Sequence, residues 1–192
     1  NAQGSADIVE LWFDRIHPHL TDEFLSKIFR IKTKPLIYKF EGNEQNLIKL
    51  LNCKIDYIDL DIKTSASLIK SIKKNHPEIK IILSHHDFME TPTLENLKAL
   101  SARMIKKGAD IVKIATTAKN TGDCFVIFSL LEFLKAKKQR AICLCMGKFG
   151  KLTRMAGHLF DNYLMYCPLD KDQITASGQL TVKELCHLKS AL

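Results

Sequence analysis

A histidine and a lysine stand in two apolar stretches of the sequence where such groups are uncommon. The first stretch, KIILSHHDF (Lys80 to Phe88), ends with His86, and the second, ADIVKIATT (Ala109 to Thr117), carries Lys113 between apolar neighbours. A lysine flanked by buried residues either extends its ammonium group to solvent or is held there for chemistry. A desolvated amine is a nucleophile toward carbonyl carbon, and a histidine can carry protons near neutral pH.

The elements that must position these residues alternate between strand and helix along the chain. Strands are predicted for ADIVELWFD, PLIYKFE, IDYIDLDIK, KIILSHHDF, ADIVKIATT, AICLCMG and YLMYCPL. Each is followed by a helical pattern; one helix has Thr21 as its N-cap, and another runs from Thr93 to a C-terminal cap at Gly108. About seven strand–helix pairs predict a parallel sheet covered by helices.

Polar residues recur near the C-terminal ends of these strands. They are Glu10, Asp14, Glu41, Asp59, Asp61, His86 and Lys113. A (β/α)8 barrel collects such residues around one rim, whereas a doubly wound sheet usually carries a glycine-rich phosphate loop, which the sequence lacks. We therefore predict an α/β fold, a (β/α)8 TIM barrel, as a single domain spanning residues 1–192, with the first strand–helix unit absent from this chain.

The charge pattern argues against a nucleic-acid partner. The net charge is +8 and the pI is about 9.2, but the lysines are spread over predicted helix faces and loops with few aromatic residues between them. A positive field also suits an anionic small molecule. No apolar run reaches membrane-spanning length and no export signal opens the chain, so we expect no membrane partner and a cytoplasmic location.

The six cysteines predict a reduced protein with buried thiols. Cys143 and Cys145 are two residues apart on one predicted strand and lack the spacing of zinc ligands. No metal site is predicted.

Several motifs together resemble the type I 3-dehydroquinate dehydratases, the Schiff-base enzymes of the shikimate pathway. They are SHHDF followed by TP, then GADIVKIA, MGKFGKLTRMAG and TASGQLT, in that order. The resemblance runs from about Asp7 to the C-terminus. It implies a lyase that dehydrates 3-dehydroquinate to 3-dehydroshikimate in aromatic amino-acid biosynthesis, needs no cofactor, and forms a homodimer.

The resemblance also implies three catalytic residues. Lys113 matches the lysine that forms the Schiff base, and His86 matches the histidine that acts as general base and general acid. Glu10 matches the carboxylate that orients this histidine. The alternatives are structural: an ion pair of Lys113 with a strand-end carboxylate, a histidine that serves packing, and a solvated glutamate. His85 has the opposite strand parity and is interpreted as structural.

Further matches fall on substrate-binding positions. Arg154 matches the arginine that binds the substrate carboxylate through a bidentate fork, although a lone arginine there could also be solvated. The other matches are the closing loop with Thr175, Ala176 and Gln179, and the apolar wall with Met146 and Tyr166, for which ordinary core packing is the alternative. The family usually has serine, proline and phenylalanine where this chain has Thr175, Ser177 and Tyr166.

Two residues depart from the family pattern at the first two strands. Trp12 and Glu41 stand where the family has arginines, which lowers the local charge by about three units, with Lys39 as a cation that could pair with Glu41. These departures leave two alternatives to the dehydratase. One is a Schiff-base lyase or aldolase of the same fold that acts on another oxo-acid, and the other is an impaired, non-enzymatic homologue.

Overall fold

The structure is a computed structural model that describes residues 2–17 and 19–190. These residues fall into two compact units, Asn1–Leu83 and Ser84–Leu192. No helix among the described residues is both long enough and apolar enough to cross a membrane.

The first unit alternates strands and helices, as the sequence predicts. Its elements are β1 (Val9–Leu11), α1 (Phe13–Ile16), α2 (Asp22–Ile31), β2 (Leu36–Lys39), α3 (Glu44–Leu51), β3 (Tyr57–Asp61) and α4 (Ala66–Asn75). β1 pairs with β2, and β2 pairs with β3, in parallel. The carboxyl ends of these strands therefore share one edge, and the register places Lys39 opposite Asp59.

The second unit continues the alternation. A further strand, β4 (Lys80–His86), crosses the boundary between the units. It is followed by α5 (Leu94–Lys107), β5 (Ile111–Thr117), α6 (Thr121–Ala136), β6 (Arg140–Met146), α7 (Gly147–Ala156) and α8 (Val182–Ser190). β6 pairs with β5 in parallel, from Ile111 opposite Arg140 to Thr117 opposite Met146.

The predicted helix caps are confirmed. The Thr21 hydroxyl accepts a hydrogen bond from the Phe24 amide at 3.2 Å, which satisfies one of the open donors at the start of α2. Thr93 does the same for α5. Gly108 ends α5 with a φ of 112°, a left-handed conformation that residues with a Cβ rarely adopt.

The seventh predicted strand, YLMYCPL, is not a strand in the structure. One amide of this segment does reach β6, since Tyr163 donates to the Ala141 carbonyl at 2.8 Å, but side chains accept from the next two amides on that edge of the strand. The Cys143 amide donates to Asn162 Oδ1 at 2.8 Å, and the Cys145 amide donates to Thr153 Oγ1 at 2.9 Å. Pro168 also lacks an amide donor for a ladder. The described residues therefore contain six strands, and the α/β class with parallel pairing is confirmed.

The first predicted strand is also shorter than expected. It ends at Leu11, and the chain turns at once into α1. Asp14 holds this turn: its carboxylate accepts hydrogen bonds from the Tyr38 hydroxyl at 2.9 Å and the Glu41 amide at 2.8 Å. The turn places the residues after β1 beside the end of β2.

Candidate active site

Lys113 lies in the middle of β5 and is only 7% exposed. Lys113 is opposite Ile142 in the register of β5 and β6. Strand alternation puts it on the same face of the sheet as Ala115, Leu144 and Met146, and these three residues form a buried apolar cluster. The ring of Tyr166 covers the amine, with 4.0 Å between Nζ and the ring centroid. Of the predicted site residues, Met146 and Tyr166 thus lie with Lys113.

Arg154 lies in the last turn of α7 and is 2% exposed. Its Nε and Nη1 are buried and make no hydrogen bond within the structure. Burial lowers the pKa of the guanidinium below its usual value. Because an unpaired buried cation is costly, the arrangement is typical of a residue that awaits an anionic ligand.

A close approach between α7 and β6 fixes the position of Arg154. A Cβ on Gly150 would lie 2.4 Å from the Cys145 carbonyl oxygen, so no other residue fits there without a backbone shift. The Thr153 hydroxyl bridges the same contact, since it accepts from the Cys145 amide and donates to the Gly150 carbonyl at 2.7 Å. The helix is therefore tied to the strand directly beside Arg154.

The three residues predicted for the closing loop, Thr175, Ala176 and Gln179, lie together, and the side-chain amide of Gln179 links them. Gln179 Oε1 accepts hydrogen bonds from the Thr175 amide at 2.8 Å and the Ala176 amide at 3.1 Å. The loop is attached to the start of α7 through the Gly147 amide, which donates to the Ser177 carbonyl at 3.1 Å. Gln179 therefore holds the loop in shape, a role that its sequence match does not indicate.

His86 is the last residue of β4 and is half-buried. Its ring stacks on Phe88, with 6.0 Å between centroids and 12° between planes. The next residue, Asp87, ties this strand end to β5: its amide donates to the Ala115 carbonyl at 2.8 Å, and its carbonyl accepts from the Thr117 hydroxyl at 3.0 Å. Asp87 thus fixes the backbone that carries His86.

Glu10 lies in the middle of β1, in the first unit, and is half-buried. Its Oε1 accepts a hydrogen bond from the indole Nε1 of Trp12 at 2.9 Å. Trp12, which departs from the family pattern, therefore helps to hold the carboxylate that the resemblance assigns to histidine orientation.

Glu41, the second residue that departs from the family pattern, pairs with Arg15 and not with Lys39. Arg15 Nε and Nη2 donate to the two carboxylate oxygens of Glu41 at 2.6 and 2.5 Å. The same guanidinium lies 4.0 Å from the centroid of the Trp12 ring. Lys39 instead pairs with the fully buried Asp59 at 2.8 Å.

Sequence reasoning missed Arg15 because the strand predicted for ADIVELWFD ends one residue before it, and no helical turn was predicted there. In α1 it lies three residues after Trp12, a spacing that brings the two side chains together on a helical turn. The sequence signal for this turn was weak, since Phe13–Ile16 is a single turn whose buried residue, Phe13, also fits a strand.

The buried thiols near β6 are poor nucleophiles. Burial raises the pKa of Cys143 to about 12 and that of Cys124 to about 11. A protonated thiol neither attacks carbonyl carbon nor binds a metal well. The described residues also contain no group of three or more His, Cys, Asp or Glu placed to hold a metal ion.

Comparisons with known proteins agree with the resemblance. The family model described as type I 3-dehydroquinase matches residues 1–191. The chain is 31% identical over 191 residues to the 3-dehydroquinate dehydratase of Desulfotalea psychrophila, covering 94% of this chain and 84% of that protein.

A plant relative is longer. The bifunctional chloroplastic 3-dehydroquinate dehydratase/shikimate dehydrogenase of Arabidopsis thaliana is 34% identical over 197 residues, which cover 95% of this chain and 32% of that protein. The chain thus spans about a third of this relative.

The fold matches as well. The crystal structure of 3-dehydroquinate dehydratase from Geobacillus kaustophilus superimposes with a TM-score of 0.83 at 22% identity, covering 99% of this chain and 82% of that chain. The chain belongs to the type I 3-dehydroquinase family.

Proposed function

We propose that this protein is a hydro-lyase that dehydrates 3-dehydroquinate to 3-dehydroshikimate through a Schiff base on Lys113. The observation that carries the proposal is the placement of Lys113, which is 7% exposed on a strand of a protein that belongs to this family. Relatives that are named 3-dehydroquinate dehydratase support 3-dehydroquinate as the substrate. In this role the enzyme acts in the shikimate pathway and in aromatic amino-acid biosynthesis.

The reaction follows from the chemistry of an imine. The neutral amine of Lys113 adds to the ketone carbon, and loss of water gives an iminium ion that acidifies the neighbouring C–H bond. His86 takes that proton, and the electron pair passes into an enamine. His86 then protonates the departing β-hydroxyl, which leaves as water, and a second water hydrolyses the product imine to release the amine.

The carboxylate of the substrate is assigned to Arg154. Its Nε and Nη1 are the buried donors that lack a hydrogen bond within the structure. A planar guanidinium binds a carboxylate through two parallel hydrogen bonds, and burial strengthens this pairing. Binding would supply the partner that the buried cation lacks.

The remaining assignments follow the resemblance. Glu10 orients the histidine, Thr175, Ala176 and Gln179 close over the substrate, and Met146 and Tyr166 form the apolar wall. The bond from Trp12 to Glu10 supports a fixed carboxylate. The hydrogen bonds of Gln179 support a loop that moves as one piece.

The test is chemical trapping. Borohydride reduction in the presence of 3-dehydroquinate, followed by peptide mass spectrometry, should show an adduct on Lys113 together with appearance of the conjugated enone. Lys113→Met should remove both signals. Lys119→Met is the matched control, because Lys119 forms an exposed ion pair with Glu90 and should trap substrate normally.

A second candidate function is supported by the first unit. Trp12 and Glu41 replace two cations, and Glu41 neutralises Arg15. A less positive surface suits an oxo-acid with fewer anionic groups. An adduct on Lys113 with other oxo-acids but not with 3-dehydroquinate would favour a Schiff-base lyase or aldolase of another specificity, and no adduct with any would indicate an impaired homologue.

The wider architecture and partners remain part of the proposal. We assign the strands to a (β/α)8 barrel forming a single domain over residues 1–192, its first strand–helix unit not being among the described elements. A single cooperative unfolding transition would support one domain. Homodimer formation, a cytoplasmic location, and the absence of cofactors and of nucleic-acid or membrane partners stay predictions; sedimentation would test the dimer.

A further inference from the structure

Cys167 lies in the irregular segment that follows α7, and the reaction described above does not use its thiol. The residue before it, Tyr166, covers the Lys113 amine with 4.0 Å between Nζ and the ring centroid. The residue after it, Pro168, accepts a hydrogen bond from the Val182 amide at the start of α8, at 3.2 Å. The backbone of Cys167 is therefore held on both sides, and its side chain is half-buried.

The same segment lies against α7, the helix that carries Arg154. A Cβ built on Gly157, the C-cap of α7, would lie 3.5 Å from Met165 Cε, and Arg154 precedes Gly157 by about one helical turn. Burial lowers the pKa of the Arg154 guanidinium, and the charges of Cys167 and Cys145 partly oppose this effect. Because such charge effects act over short distances, the Cys167 sulfur is a neighbour of the guanidinium.

Arg154 has the properties of a receptor for an anion. It is 2% exposed, and its buried Nε and Nη1 make no hydrogen bond within the structure. A buried guanidinium with two open donors favours an anion that presents two oxygens on one atom. A carboxylate is one such group. A sulfinate, which carries one negative charge and two oxygens on sulfur, is another, and Cys167 would carry it beside the guanidinium.

The three buried thiols of the second unit are protected from oxidation. Burial raises the pKa of each of them, so they stay protonated, and they are closed to solvent; they are Cys124, Cys143 and Cys145. Hydrogen peroxide oxidises the accessible thiolate, which a neighbouring cation favours. Cys167 combines access from solvent with a cationic neighbour.

Two accessible thiols provide the comparison. Cys53 is half-buried like Cys167, but burial raises its pKa and the negative charge of Asp22 raises it further. Cys186 is exposed on α8, and the thiols whose charges act on Arg154 are Cys167 and Cys145. The neighbouring charge therefore distinguishes Cys167 from Cys53, and the neighbouring guanidinium distinguishes it from Cys186.

We propose that Cys167 is an oxidation site at which hydrogen peroxide forms a sulfinate that occupies the anion-binding donors of Arg154. In the first step the sulfur attacks one peroxide oxygen, the O–O bond breaks, and the products are a sulfenic acid and water. A second peroxide oxidises the sulfenic acid to the sulfinic acid and is itself reduced to water. The sulfinic acid loses its proton at neutral pH, which gives the anion.

The inference rests on the proposed function only in what the modification blocks. Arg154 is the group assigned to the substrate carboxylate, and a sulfinate on Cys167 competes for the same two donors. Oxidation therefore weakens the binding of a carboxylic acid and leaves the Lys113 amine intact.

The first test measures oxidation alone and needs no activity. The reduced protein is treated with hydrogen peroxide, the reaction is stopped with catalase, and the remaining thiols are blocked with N-ethylmaleimide before peptide mass spectrometry. Cys167 should be oxidised to the sulfinate about tenfold faster than Cys53 or Cys186 is oxidised. Arg154→Gln removes the cation and should slow the oxidation of Cys167 about five- to tenfold, whereas Arg154→Lys keeps the charge and should change the rate less than about threefold.

The second test places an anion beside Arg154 without oxidation. Cys167→Asp introduces a carboxylate, and Cys167→Asn is the neutral control of the same shape. The probe is quinate, a carboxylic acid that forms no imine, in calorimetric titration. Cys167→Asp should bind quinate about tenfold or more weakly than Cys167→Asn, at similar midpoints of thermal unfolding. Peroxide should weaken quinate binding by the native protein, and Cys167→Ser, which forms no sulfinate, should keep its affinity.

Four results would overturn the inference. They are oxidation of Cys53 or Cys186 as fast as Cys167, an unchanged Cys167 rate in Arg154→Gln, equal quinate binding by Cys167→Asp and Cys167→Asn, and a disulfide at Cys167 in place of the sulfinate.

Failure of the proposed function gives a different result. If the native protein does not bind quinate, or if borohydride traps nothing on Lys113, the assignment of the substrate to this site is wrong. The relative oxidation rates of the thiols still decide whether Cys167 is the oxidation site.

Discussion

The amine of Lys113 lies 4.0 Å from the centroid of the Tyr166 ring. The aromatic face attracts the ammonium ion by about 0.5–2 kcal/mol and so restricts where the amine points. The sequence match treated Tyr166 only as part of an apolar wall. In the structure this ring is also a direct neighbour of the proposed nucleophile.

Substitutions at Tyr166 should distinguish the effect of its aromatic ring on Lys113 from the effect of its hydroxyl. Tyr166→Phe keeps the aromatic face, and we expect the rate of borohydride trapping on Lys113 to stay within about threefold of the native rate. Tyr166→Leu removes the aromatic face that restricts where the amine points and that stabilises the cationic iminium ion, so the trapping rate should fall about five- to tenfold. A larger loss in Tyr166→Phe than in Tyr166→Leu would assign the effect to the hydroxyl.

Arg154→Lys should weaken substrate binding without preventing imine formation. Lysine keeps the charge but cannot offer two parallel hydrogen bonds, each of which contributes about 1.5–3 kcal/mol when charged. We expect KM to rise about tenfold or more, while trapping on Lys113 persists at high substrate concentration. Arg103→Lys, at an exposed position on α5, is the control, and an equal change in KM there would contradict the assignment.

Gly178→Ala should distort the loop that carries Thr175 and Gln179. Gly178 has a φ of 84°, and an added Cβ would lie 2.5 Å from the Gly147 carbonyl oxygen. The backbone must shift, so we expect kcat/KM to fall by about tenfold or more with only a small change in overall stability. Gly4→Ala is the matched control, because nothing lies within 4 Å of its added Cβ.

The buried Cys143 thiol should make the protein less stable in alkali. Its pKa is raised from 9.0 to about 12 by burial, so above about pH 9 the unfolded thiol ionises while the native thiol stays protonated. The Cys143 thiol alone therefore lowers the free energy of unfolding as the pH rises, by about 2 kcal/mol between about pH 8 and about pH 10.5. The Cys124 thiol, whose pKa burial raises to about 11, adds to this loss.

Urea unfolding at several pH values measures this loss. Cys143→Ala should show a correspondingly smaller decrease over the same pH range. Cys186→Ala, at an exposed position, should retain the native decrease, and equal slopes in all three proteins would exclude the thiol as the cause.

Much of the fold follows from local sequence patterns. The caps at Thr21, Thr93 and Gly108 depend on hydrogen bonds within four residues or on the conformation of one residue, so the sequence alone predicts them. The strands that carry His86 and Lys113 are equally local, because a continuous run of branched apolar residues marks a buried strand. The matched motifs then identify the family.

Contacts between distant residues were decided only by the tertiary structure. YLMYCPL has the composition of a strand, but the side chains of Asn162 and Thr153 already accept hydrogen bonds from two amides on the edge of β6. The sequence of the segment itself does not show that these side chains compete for the edge. Likewise Glu41 could pair with Lys39 by parity, yet Arg15 reaches it from 26 residues away. Local sequence sets the backbone preference of each segment, whereas packing decides which of several suitable partners comes within hydrogen-bonding distance.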